Sequence, residues 1–112
     1  MSGQLSEMQC VARSTALDQA AIAALLAQVP GWAVDNGLLG KRFAFHNYYQ
    51  TLAFVNALAF LTHAQDHHPE LIITYNTCTV RYSTHSVGGL SENDFICAAK
   101  ADALYQSAAG RA

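Results

Sequence analysis

Two strand–turn–strand signals, separated by one long helical segment, constrain this chain more than any other feature. The first follows Pro30-Gly31. Trp32-Ala33-Val34 reads as a short strand and Asp35-Asn36-Gly37 as a tight turn, since Asn-Gly tolerates the positive φ of a short hairpin. The return strand spans 38–45, with Phe43 and Phe45 alternating with Arg42 and Ala44. The second signal follows Pro69: strands over 71–75 and 78–84, joined at Asn76-Thr77. Here Cys78, Val80 and Tyr82 share one parity, and Thr79, Arg81, Ser83 and His85 the other. One face of the sheet is therefore apolar and should face the helices, leaving His85 on the polar side with Arg81 and Ser83.

Three helical segments supply the cover. The first is expected over 16–28, with Thr15 as cap, Asp18 at N3, and an apolar stripe of Ile22, Leu25, Leu26 and Val29 that Pro30-Gly31 ends. The second starts near Asn47, which pairs with Gln50 in an Asn-x-x-Gln capping box, and runs through Tyr48, Leu52, Val55, Leu58, Ala59, Leu61 and Thr62. Phe54 and Phe60 widen its apolar surface beyond one face, a first hint that another subunit covers it. The third opens at Ser91 with Asp94 at N3, followed by Phe95, Ile96, Ala99 and Leu104. The order α-β-β-α-β-β-α predicts an α+β fold: a four-stranded antiparallel sheet with helices packed on one face.

A chain of 112 residues suits one domain, expected over 14–107, between a polar lead-in (1–13) expected to fray and a short tail (108–112). With 52% hydrophobic and 12% charged residues, disorder is excluded over most of it. A net charge of −2 without a basic run gives no footprint for nucleic acid, and no apolar run approaches a bilayer span. The opening residues carry no signal of secretion. Cys10, Cys78 and Cys97 are odd in number, widely spaced and lack a CxxC pair, which reads as reduced, buried thiols in a cytoplasmic protein.

The chemistry gathers where the second helix must end. His63-Ala64-Gln65-Asp66-His67-His68-Pro69 holds three of the five histidines, and Pro69 forbids helical continuation. His63 and His67, four apart, share a helical face while the helix lasts, and His68 points elsewhere. Imidazole moves protons near neutral pH. Adjacent histidines at a turn, opposite His85 on a neighbouring strand end, could hold a proton donor and an acceptor around a small molecule, with Asp94 orienting or charging one ring. That suits dehydration or tautomerisation. The plain alternatives stay open: His63 as a helix-end residue, His67-His68 as polar residues at a helix C-terminus, Asp94 as capping partner of Ser91, His85 as a polar strand end. The spacing His63-x-x-x-His67 also suits helical zinc ligands, with His85 or Asp94 as a third. However, the glutamate of a zinc-protease helix is missing and no cysteine lies close by. Ser83, Ser86 and Ser91 lack the glycine pattern of a nucleophile elbow.

Taken together, His63-x3-His67-His68-Pro69-x5-Tyr75-x9-His85-x8-Asp94 resembles the signature of the pterin-4a-carbinolamine dehydratases. Asp66-His67-His68-Pro69-Glu70, Ser83-Thr84-His85, Gly89-Leu90-Ser91-Glu92 and Gly31-Trp32 resemble family segments too, so the likeness runs from about Leu17 to Leu104. The resemblance implies removal of water from a 4a-hydroxytetrahydropterin to give the quinonoid dihydropterin. It implies a site of His67, His68, His85 and Asp94, with His68 and His85 as the acid/base pair, His67 holding the intermediate, and Asp94 as electrostatic partner of one ring. His63, Ser83 and Thr84 are implied on the substrate side, backbone groups near Ser83 and Thr84 meeting the pterin edge. No metal and no organic cofactor are implied.

Three positions depart from animal members of the family. His63 stands where a Glu is common, Leu71 where a Trp would wall the pocket rim, and Val87 where a Cys occurs. Family membership would link the chain to a pterin-dependent aromatic amino-acid hydroxylase in tetrahydropterin recycling, as a homodimer or homotetramer. The contrasting expectation is a non-catalytic oligomeric binding or regulatory protein acting through its helical surface, for which the Ala-rich second helix (Ala53, Ala57, Ala59) would serve.

Overall fold

A computed structural model describes residues 5–107; the expected tail, 108–112, lies outside them. Among the described residues, three full helices and four strands follow one another as α1 (Gln19–Leu26), β1 (Ala33–Asp35), β2 (Leu38–Ala44), α2 (Tyr48–Gln65), β3 (Glu70–Ile73), β4 (Thr77–Tyr82) and α3 (Glu92–Gln106), with a 3₁₀ turn at His85–Val87. The strands form one antiparallel sheet in the order β1-β2-β4-β3. Both hairpins are present, joined by long-range pairing of β2 with β4, in which Phe43 faces Cys78 and Leu39 faces Tyr82.

The parity of β4 sets the layers. Cys78, Val80 and Tyr82 are fully buried, with Leu39 and Phe43 of β2 beside them. Phe54 and Leu58 of α2 and Phe95 and Ile96 of α3 close the core from the helical side. Phe43 packs 4.9 Å, centroid to centroid, from both Phe54 and Tyr105. The Trp32 indole N–H donates to Asp102 at 3.0 Å, and Lys41 meets the same carboxylate at 2.9 Å, so the start of the first hairpin is pinned to α3.

The helix ends show how local sequence sets the frame. Asn47 caps α2 by accepting from the Gln50 N–H at 2.9 Å, but the Gln50 side chain reaches back to the His46 N–H, one residue earlier than a capping box places it. Ser91 and Asp94 form the full capping box on α3. α1 begins later than expected. Its cap is Asp18, accepting from the Ala21 N–H, because the Leu17 N–H is tied to the Leu90 carbonyl at 2.8 Å and holds the preceding residues extended. The strand expected to run to Thr84 stops at Tyr82, and His85 opens a 3₁₀ turn rather than ending a strand.

Residues 1–4 of the expected lead-in lie outside the described residues, and residues 5–13 do not fray. Leu5 is buried in the core cluster, and the Cys10 N–H donates to Gln65 at the end of α2. Val11 exchanges two hydrogen bonds with the Asn93 side chain, and Arg13 bonds Asn93 and Glu92 on α3. Charged and amide side chains hold this segment across the gap between the two long helices, a role that its polar composition conceals.

Candidate active site

The histidine cluster is positioned by the way α2 stops. Asp66 adopts a left-handed conformation (φ 53°), its N–H bonds the His63 carbonyl, and the His67 N–H bonds the Thr62 carbonyl. This is a Schellman closure with an aspartate where glycine is usual. The helix therefore ends before His67, and the shared helical face expected for His63 and His67 does not form. His63 remains exposed in the last turn, apart from the other candidates.

His67 turns inward. Its side chain is 12% exposed and its ring lies nearly parallel to Tyr82, 5.7 Å between centroids and 7° between planes. Imidazole Nε2–H donates to Asp94 Oδ1 at 2.6 Å. Asp94 is completely buried on the first turn of α3, and its other oxygen accepts from the Thr84 hydroxyl at 2.8 Å and the Ser91 N–H at 2.9 Å. The Asp94 hydrogen bond raises the His67 pKa above its ordinary value; burial opposes this, and the charges of Asp94, Cys10 and Asp66 add to it. The Tyr82 hydroxyl is buried with no hydrogen-bond partner among the described residues, and burial first, then nearby Cys97, Cys10 and Asp94, push it far up.

His68 turns the other way. With His85 and Ser83 it lines an open cavity of about 360 Å³, completed by Leu38, Pro69, Glu70 and Arg81. Both histidines are exposed. His67 and Thr84 instead border a neighbouring cavity of about 270 Å³, walled by Cys10, Arg13, Gln65 and Asn93. The Ser83–Thr84 step lies between the two: Ser83 lines the first, while Thr84 is buried with its hydroxyl between Ser91 and Asp94. Within the loop the Thr84 N–H bonds the Gly89 carbonyl, and the Thr84 carbonyl accepts from the Val87 N–H.

Two charged residues of the cavity lie outside the site expected from the sequence. Arg81 pairs with Glu70 at 3.3 Å across β3 and β4, and both line the cavity beside His68. The signal was present in the shared parity of Arg81, Ser83 and His85. Leu71, expected at the pocket rim, pairs with Val80 and packs against the core. Among the described residues, no three His, Cys, Asp or Glu side chains gather in an arrangement that could hold a metal ion.

Residues 15–104 match the family model described as Pterin 4 alpha carbinolamine dehydratase. The chain belongs to that family. A relative from Nitrosospira multiformis, provisionally named a pterin-4-alpha-carbinolamine dehydratase, is 52% identical over 97 residues, covering 87% of this chain and 86% of its own. One from Xylella fastidiosa, with the same provisional name, is 58% identical over 92 residues, covering 80% and 79%. Among solved structures, a transcriptional coactivator/pterin dehydratase from Brucella melitensis superposes with a TM-score of 0.75 at 30% identity, covering 80% of this chain and 97% of that one. A pterin dehydratase-like protein identified as a RuBisCO assembly factor in the alpha-carboxysome superposes with a TM-score of 0.58 at 32% identity, covering 69% and 89%. Membership of this family is membership of a hydro-lyase class, and the α+β architecture is the one its solved relatives share.

Proposed function

We propose that this family member dehydrates a 4a-hydroxytetrahydropterin by histidine acid/base catalysis. The observation that carries the reading is the convergence of His68, His85 and Ser83 on one open cavity. The reaction needs two proton movements on neighbouring atoms. The C4a hydroxyl must leave as water, which protonation by an imidazolium promotes, and N5 must lose its proton, which a neutral imidazole accepts. His68 and His85, which both line the cavity, supply that pair. His67, held towards the cationic form by the Asp94 hydrogen bond, borders the neighbouring cavity beside Thr84 and holds the intermediate from that side. Asp94 touches no ligand from its buried position; it is a positioning residue acting through His67. No step calls for a metal or an organic cofactor.

In this reading the protein is cytoplasmic, works beside a pterin-dependent aromatic amino-acid hydroxylase in tetrahydropterin recycling, and assembles as a homodimer or homotetramer. Phe60, 79% exposed on α2, supports an oligomeric surface. Among the described residues no helix is long and apolar enough to cross a membrane.

The test is a coupled assay in which a hydroxylase generates the carbinolamine in situ and its decay to quinonoid dihydropterin is followed by absorbance. His68→Ala and His85→Ala should each lose about 10²–10⁴ in rate, with or without EDTA. Folded wild-type protein that does not accelerate the decay overturns the assignment. The binding role that the exposed α2 face would favour predicts, instead, that partner capture survives both substitutions.

A further inference from the structure

The docked lead-in places two thiols together. Cys10 Sγ lies 3.5 Å from Cys97 Sγ, although the residues come from opposite ends of the chain. Cys97 is fully buried on α3, whereas Cys10 is half-buried and lines the cavity that His67 borders. The segment carrying Cys10 is held on both sides: its own N–H by Gln65, Val11 and Arg13 by Asn93, and the Ser6 carbonyl by Lys100 at 2.8 Å. The approach of the two sulfurs is thus built by a hydrogen-bonded strap. Cys78 lies apart on β4, where burial alone pushes its thiol up to about 11.

The two thiols differ in the way a redox pair requires. Hydrogen bonding from Cys97 lowers the Cys10 pKa; burial opposes this, and positive charge on His67, Lys100 and Arg13 lowers it further. The same contact, with burial, drives Cys97 far up. One sulfur is therefore reachable and inclined to the thiolate, and its neighbour is buried and protonated.

We propose that Cys10 and Cys97 are a thiol–disulfide redox site, oxidised by low-molecular-weight disulfides, whose closure locks the N-terminal strap onto α3 at the wall of the His67 cavity. In the first step the Cys10 thiolate attacks one sulfur of the disulfide, forming a mixed disulfide and releasing one small thiolate. In the second, the Cys97 thiol gives up its proton and attacks the Cys10 sulfur, and the second small molecule leaves as a thiol. Two protein thiols lose two electrons and two protons, and one small disulfide gains them. The sulfurs must close from 3.5 Å to about 2.05 Å, a movement on the order of 1.5 Å that side-chain rotation and a small shift of the strap can provide.

The experiment equilibrates the full chain with oxidised and reduced glutathione at graded ratios, quenches in acid, blocks free thiols with N-ethylmaleimide in denaturant so that the buried thiols react too, and reads intact mass and cross-linked peptides. Wild type and Cys78→Ser should convert to a species lacking two hydrogens, blocked only outside Cys10 and Cys97, with the Cys10–Cys97 peptide recovered. Cys10→Ser should form no intramolecular link. A thermal unfolding midpoint that rises on oxidation in wild type but not in Cys10→Ser adds a readout independent of mapping. Three alkylatable thiols at every ratio overturn the proposal. So does a stable glutathione adduct on Cys10 without closure, a link through Cys78, or a link between chains. None of these readouts involves pterin, so the redox site and the dehydratase reading fail separately.

Discussion

Replacing Asp94 by asparagine should destabilise the protein in a pH-dependent way, because the carboxylate serves three donors of two kinds. Oδ2 accepts from the Thr84 hydroxyl and the Ser91 N–H, and Oδ1 accepts from His67. An asparagine keeps its carbonyl towards the pair of donors, so its NH₂ must face His67. Two donors then confront each other unless His67 is neutral with Nε2 as acceptor. The exchange replaces a charge-assisted bond worth about 1.5–3 kcal/mol by a neutral one worth about 0.5–1.5, a difference of about 1–2 kcal/mol. Because His67 is raised in the folded state, its contribution is fully present below the unfolded histidine value of about 6.5 and is lost as pH rises through the folded value. The cost of Asp94→Asn should therefore be largest at about pH 6 and shrink by pH 9.

Urea unfolding at the two pH values measures this, with Trp32, buried near Tyr82, as the fluorescence probe. Titration of the His67 ring by NMR should show its pKa falling in the variant. Equal destabilisation at pH 6 and pH 9, with an unmoved His67 titration, would refute the assignment of the raised pKa to Asp94. Alanine at the same position leaves Ser91 as the cap but removes its capping-box partner and strands the buried Thr84 and Ser91 donors, and should cost about 3–5 kcal/mol, more at pH 6 than at pH 9.

Two further substitutions probe the frame around the site. Asp66→Gly should stabilise by about 0.5–1 kcal/mol in urea unfolding, since the relief of a left-handed Cβ outweighs the freedom glycine adds to the unfolded chain. Leu5→Ala should cost on the order of 2 kcal/mol and expose the lead-in to limited proteolysis, whereas a frayed lead-in would leave both stability and cleavage unchanged.

What the sequence made legible is what short-range chemistry decides. The alternation of Cys78, Val80 and Tyr82 with Thr79 and Arg81 marks β4 and its faces, and Ser91 with Asp94 marks the start of α3, because parity and capping act within a few residues. The pairing of β2 with β4 depends on closing a long loop, and only the shared demand of two apolar faces for cover suggests it. The sequence leaves the start of α1 open because Thr15 and Asp18 are both acceptable caps. The choice falls to the Leu17–Leu90 hydrogen bond, made with a residue far along the chain. The order of the lead-in is hidden for a related reason: Leu5 is one apolar residue in a polar stretch, and its burial depends on Asn93, Gln65 and Lys100 holding the strap down.

The site itself was legible as a set of residues but not as a geometry. An unbroken helix puts His63 and His67 together; a left-handed Asp66 followed by a chain that Pro69 keeps extended separates His67 from His68 instead. Past β4, Thr84 is buried and His85 is exposed in the same alternating manner. The two inward residues, His67 and Thr84, meet the Asp94 carboxylate, which anchors them to the capped end of α3. The two outward residues, His68 and His85, are left at the open cavity without such an anchor. Fixed charge and movable protons need opposite surroundings, the first buried and fully hydrogen-bonded, the second open to a ligand and to water. A pair of two-residue alternations, one before β3 and one after β4, provides both from adjacent positions in the chain.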